Sequence, residues 1–189
     1  PGRKFVYAYW PLLDSTAHHF GTDSREARNI LDAFCRSFDE LVGTLAGSDT
    51  QLIVTADHGF VDSPPQRIVD LADHPALGAL LARPLCGEAR IAWCYPKAGC
   101  AAAFADYVGD RLGHCAEAVP RERMLDEGWF GPGPAHPRLA SRVGDFALRM
   151  RDNWTVKDWL PGERRHHLLG VHGGTSAEEM TVPLVAIRC

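Results

Sequence analysis

An α/β fold, with a mainly parallel sheet flanked by helices, is what this sequence predicts, and three stretches near its start predict it. "KFVYAYW", residues 4–10, is rich in aromatic and β-branched side chains and has the character of a strand. "SREARNILDAFCRSFDELVGTLAG" then sets Ile30, Leu31, Phe34, Phe38, Leu41, Val42 and Leu45 at helical spacing, with Gly47 to close the helix. "QLIVTA", residues 51–56, is nearly all apolar, as a strand is when both sheet faces are covered. Strand, helix and strand in succession form the unit from which parallel sheets are built.

The later elements are read in the same way. "ARIAWCY" is strand-like, "AAAFADYVGDRLG" helical, and "CAEAV" a short strand; the Gly/Pro-rich "GWFGPGPAHP" closes this section. Residues 84–137 are therefore expected to form a small α+β insertion or cap, with 1–83 and 138–189 forming the α/β core. Trp93, Tyr95, Trp129 and Phe130 belong to the insertion, where aromatic side chains chiefly supply packing area. "VGDFALRMRDNWTVKDW" gives two strands joined near Asp152–Asn153, and "EEMTVPLVAI" ends in a final strand.

Composition narrows the class. At 189 residues the chain suffices for one sizeable domain, and a net charge of −4 offers no basic footprint for nucleic acid. No segment reaches the roughly 18 consecutive apolar residues of a membrane helix, and no signal-peptide pattern opens the chain. The six cysteines are scattered without a CxxC pair, which favours reduced thiols and a cytoplasmic setting. The chain begins with Pro1 rather than Met and leads at once into a strand-like stretch, so a fragment or processed piece is expected.

Three polar blocks stand out. In "DSTAH", Asp14 and His18 are four apart; on a helix both face one side and can reach a single cation, though for the block alone Asp14 as a helix cap and His18 as a surface residue is the simpler reading. In "DHG", Asp57 and His58 stand where a strand ends, the place where open α/β sheets bind ligands, and Gly59 lets the chain turn there. An exposed turn explains this block equally well. In "GVHGGTSAEEMTVPLV", His172 precedes two glycines, and Thr175 and Glu178 have capping-box spacing for a short helix. Glu178 and Glu179 are then helix-start residues, and His172 alone would be a loop residue. His166 and His167, beside Arg164 and Arg165, have the composition of a solvated polar loop.

Each block alone is weak; together they are not. Asp14, His18, Asp57, His58 and His172 supply oxygen and nitrogen donors with no sulfur, a set suited to zinc, with manganese as the alternative. Two carboxylates and three imidazoles exceed the roughly three protein ligands of one catalytic zinc and point to two ions.

The order Asp-x-x-x-His, Asp-His-Gly, His-Gly-Gly resembles the alkaline phosphatase superfamily, and within it the type I phosphodiesterase/nucleotide pyrophosphatase branch. "YWPLLDSTAHHFG", "IVTADHGF" and "GVHGGTSAEEMTVPL" are similar to that branch's metal-binding blocks, while the middle of the chain is not. The resemblance implies that Asp14, His18 and His172 bind one divalent ion and that Asp57 and His58 bind a second. It further implies a metal-dependent phosphoester hydrolase in which two ions assist phosphoryl transfer through a Thr or Ser nucleophile, acting on a small-molecule phosphoester. In the family the nucleophile and one more aspartate lie upstream of the Asp-x-x-x-His block. Only thirteen residues precede Asp14, so the chain is expected to be the C-terminal half of a larger enzyme, its partner being the missing N-terminal half, and no catalytic nucleophile is named. The same ligand order resembles phosphomutases of the phosphoglycerate mutase type, and similar "HGG…EEM…VP" endings occur in non-catalytic metal-binding or interaction modules.

Overall fold

The computed structural model describes residues 2–189 and assigns them to the α/β class, with helices interleaved among short, mixed strands. Helix α1, Leu12–Phe20, follows Pro11; Asp14 in its first turn and His18 in its last both complement the helix dipole. Helix α2, Arg25–Leu45, starts where the Ser24 side chain accepts the Ala27 N–H. Strand β1, Gln51–Thr55, comes next, then β2, Val61–Asp62, and β3, Ile68–Asp70. The short helix α3, Pro75–Leu80, precedes strands β4, Cys86–Gly87, and β5, Ile91–Cys94. Helix α4, Ala101–Tyr107, runs on into a π-helical turn over Val108–Leu112, and β6, Ala116–Pro120, leads into α5, Arg121–Asp126. The chain closes with α6, Leu139–Arg142, β7, Phe146–Met150, β8, Thr155–Lys157, β9, Gly170–Val171, α7, Ala177–Met180, and β10, Leu184–Arg188.

The largest sheet has the order β4-β5-β7-β6, with antiparallel pairing of Ala92 with Leu148 and of Ala118 with Leu148. Strand β7 lies outside residues 84–137, so that section shares its sheet with the segment that follows it. Against this sheet Phe104, Val108, Leu112, Leu148 and Met150 form a closed apolar core that extends to Leu77 and Val156. Trp93 and Trp129 pack on a smaller cluster of Ile91, Val119, Met124 and Ala147. Cys94, buried in the main core, has its thiol pushed up to about 12 by burial, so it is neutral and a poor metal ligand. All six cysteines are free.

Two sequence expectations are corrected. Residues 4–10 form no strand: Phe5 is 91% exposed, Val6, Tyr7 and Tyr9 are exposed too, and Trp10 stacks on Phe34 at 4.6 Å. Strand preference expresses fitness for a half-buried pleated surface, and here no neighbouring strand offers one. Without that strand, α2 does not cross between parallel neighbours. Strand β1 instead pairs antiparallel with β10, Gln51 opposite Arg188 and Thr55 opposite Leu184. Parallel pairing among the described residues is confined to β3 and β8, with Ile68 opposite Thr155.

Candidate metal centre

The three polar blocks meet because α1 docks on β9. Leu169 N–H donates to the His18 carbonyl at 2.8 Å, and the His18 Nδ1 lies 2.8 Å from the Gly170 carbonyl. Strand β9 is paired with β2, Val61 opposite Val171, which carries His172 toward the loop that leaves β1. Asp14, one turn before His18, points to the same place.

Asp14, His58 and His172 each offer one donor atom, and these atoms all lie within 4.8 Å of one another. His18 Nε2 stands 3.5 Å from Asp14 Oδ1, and His58 Nε2 stands 3.8 Å from that same oxygen. The His58 and His172 rings stack at 3.5 Å, and the His18 ring centre is 5.2 Å from that of His172. Asp57 sits on the exposed rim, with Oδ1 3.7 Å from His58 Nε2. All five predicted residues therefore stand in one neighbourhood. The tightest group, however, takes His58 from the second predicted set and Asp14 and His172 from the first, while His18 stands beside it.

The chemistry of these donors fits a divalent ion. His18 spends its Nδ1 proton on the Gly170 carbonyl, which fixes the tautomer and leaves Nε2 free as a ligand facing Asp14. Burial, followed by the nearby His58 and His18 rings, holds the His172 imidazole below its usual value, against the pull of Glu88 and Asp14. A neutral ring is the ligating form. Half-buried oxygen and nitrogen donors without sulfur suit zinc or manganese chemistry.

Other residues of the site were not anticipated from the sequence. Phe60 lies edge-on to His18 at 5.0 Å, to His58 at 5.1 Å and to His172 at 5.2 Å, so one ring braces three imidazoles. Its place directly after Asp-His-Gly was the available signal. The helix cap is also one residue later than predicted. Ser176, not Thr175, caps α7, and Glu179, not Glu178, completes the capping box. Both pairs have the same spacing in the sequence; burial of Glu179 decides between them. His166 and His167 are exposed, with His166 edge-on to Trp159.

Known proteins place this chain in a family. The sequence pattern of the family described as Type I phosphodiesterase / nucleotide pyrophosphatase matches residues 2–175. The chain belongs to this family. It is thereby a member of the alkaline phosphatase superfamily. Among solved structures it is similar to murine ectonucleotide pyrophosphatase/phosphodiesterase 5, with 21% identity and a TM-score of 0.68 over 92% of this chain and 44% of that one. The human counterpart gives 19% identity and the same TM-score, again over 92% and 44%. Phosphonoacetate hydrolase from Sinorhizobium meliloti, solved with phosphonoformate, gives 19% identity and a TM-score of 0.64 over 92% of this chain and 43% of that one. At such identities the likeness concerns the fold. The chain spans less than half the length of these solved proteins. No curated protein sequence matches it.

Proposed function

We propose that this chain forms the metal-binding part of a metal-dependent phosphoester hydrolase. The observation that carries the proposal is the meeting of Asp14, His58 and His172 donor atoms within 4.8 Å, from three segments far apart in the chain. Family membership supports the reaction class, since the family is described as a phosphodiesterase and nucleotide pyrophosphatase.

In this proposal Asp14, His18 and His172 hold one divalent ion, and His58 with the rim residue Asp57 serves a second. Zinc is favoured, with manganese as the alternative. Ions bound there would supply positive charge against the phosphoryl oxygens and the leaving oxygen. The chain's own residues orient and brace the site. His18 keeps its Nε2 aimed at the site through its bond to Gly170, and Phe60 braces the imidazole cluster edge-on. Asp57, the most exposed of the five, faces the side from which a small-molecule phosphoester would approach. The Thr or Ser nucleophile is supplied by the remainder of a longer enzyme, which accords with a chain spanning 44% of its solved relatives.

The test has two arms. Metal content of the purified protein is measured by plasma mass spectrometry, and the intact enzyme is assayed on a nucleotide phosphodiester against a phosphomonoester. Bound zinc or manganese with diester preference is expected. A protein that takes up neither metal would end the proposal. Monoester preference would move it to a phosphatase or phosphomutase, and metal binding without turnover in the intact protein to a non-catalytic module.

A further inference from the structure

Two loops bring histidines to the centre, and both converge on one residue that touches no ligand atom. The backbone carbonyl of Glu179 accepts the Gly59 N–H at 2.7 Å, immediately beyond His58. Its side-chain Oε1 accepts the Gly174 N–H at 2.8 Å, two residues beyond His172. Both neighbours are glycine for a steric reason. A Cβ on Gly59 would run into the Glu178 carbonyl, and one on Gly174 would meet the Glu179 carboxylate at 2.5 Å.

The carboxylate is itself clamped. Arg90, immediately before β5, donates from Nε to Oε1 and from Nη2 to Oε2, each at 2.9 Å. Its remaining N–H groups reach the carbonyls of Trp154 at 2.5 Å and Asp152 at 2.6 Å. Arg90 is 1% exposed and Glu179 2%, and among the described residues no buried side-chain nitrogen or oxygen lacks a partner. A buried ion pair is a poor device for stability alone, because desolvation offsets most of the attraction. As a device for geometry it is effective: the planar fork admits one arrangement of the carboxylate.

We infer that Glu179, buried against Arg90, is a positioning residue: its backbone carbonyl and its side-chain oxygen hold the loops that follow His58 and His172 and so set the two rings against each other. The inference rests on the metal-binding proposal only for its consequence on affinity; the ring spacing stands apart from it.

The test compares two double variants in the intact protein: Arg90→Met with Glu179→Met, and Arg90→Met with Glu179→Gln. Both remove the ion pair without leaving a lone buried charge. Only the second keeps an acceptor for the Gly174 N–H. Nuclear magnetic resonance of the metal-free protein reads amide exchange at Gly174 and the ring contact between His58 and His172, and calorimetry reads zinc affinity. With Glu179→Gln, slow exchange and the ring contact persist. With Glu179→Met, both are lost and zinc binds about 10–100-fold more weakly, the usual effect of removing a supporting group. Equal exchange and equal ring contact in the two doubles would overturn the inference. If zinc failed to bind the parent while ring contact still separated the doubles, the metal proposal would fall and the positioning role would stand. Should the Met double not fold, Glu179→Asp keeps the charge and withdraws the carboxylate from Gly174. Faster Gly174 exchange then supports the inference, and unchanged exchange overturns it.

Discussion

Leu148 on β7 and Leu184 on β10 are the same residue in the same type of element, yet the first is 0% and the second 75% exposed. The sheet around β7 is covered by α4 and the turn that follows it, and its apolar side chains close into one core. The β1–β10 pair carries Ile53, Leu184 and Val185 into solvent, and α2 buries only Ala27 completely. The difference teaches that side-chain chemistry provides an apolar face while the surrounding chain decides whether it is used. Burying a leucine fully contributes about 1.5–3 kcal/mol, and the β1–β10 layer leaves much of that unrealised. The solved relatives are more than twice as long as this chain.

The sharpest way to break this comparison is to truncate both leucines in the 189-residue chain. Leu148→Ala is expected to cost about 2–5 kcal/mol, because it opens a cavity in a closed core. Leu184→Ala should stay within about 0.5 kcal/mol. Urea denaturation measures both, and equal costs would erase the distinction.

The proposed metal centre draws its donors from α1 and from the segments that follow β1 and β9, and those residues should respond in affinity more than in stability. Asp14→Ala or His172→Ala is expected to weaken zinc binding by more than the about 10–100-fold typical of losing a supporting group. Calorimetry at fixed pH decides it, with circular dichroism to verify that the fold persists.

Gly59→Ala brings a methyl group against the Glu178 carbonyl, and crowding of this kind costs about 1–3 kcal/mol. Gly47→Ala, at a position with open space but φ of +76°, tests strain without collision and should cost less. Thermal melts of the two variants rank them.

A pH titration sharpens the contrast between buried and exposed charge. Burial alone would raise the Glu179 carboxyl, but the Arg90 clamp and the Gly174 and Ser176 bonds hold it below its ordinary value of 4.5. Its folded form therefore takes up a proton less readily than its unfolded form. The stability it contributes is present above about pH 4.5 and is lost as pH falls through the lower folded value. Denaturation curves from pH 7 downward should show this loss in the parent and not in the double variant lacking both charges. The exposed Arg188–Asp49 pair gives the smallest effect: Asp49→Ala should change stability by less than about 1 kcal/mol.

Much of this was legible along the chain. The apolar spacing of α2, the runs of β1, β5 and β7, and the turn at Asp152, with φ of +44°, follow from local periodicity and turn chemistry. The five polar residues were legible as motifs, because donor type and spacing are local properties. The absent strand at residues 4–10 was not, since a strand exists only with a neighbour. Nor was the role of Glu179. Glu178 beside it has the same charge and an equally plausible capping partner, and only the packing of Arg90 from 89 residues away distinguishes them.

The order of residues by itself determined the helical run of α2, the apolar runs of β1, β5 and β7, and which side chains offer donors of the metal-ligand type. Tertiary structure alone decided that His58 stacks on His172 at 3.5 Å, that β1 runs antiparallel to β10, and that a buried arginine pairs with Glu179. The physical reason is range: periodicity and capping act over a few residues, whereas desolvation and ring contact depend on groups the chain brings together only when it folds.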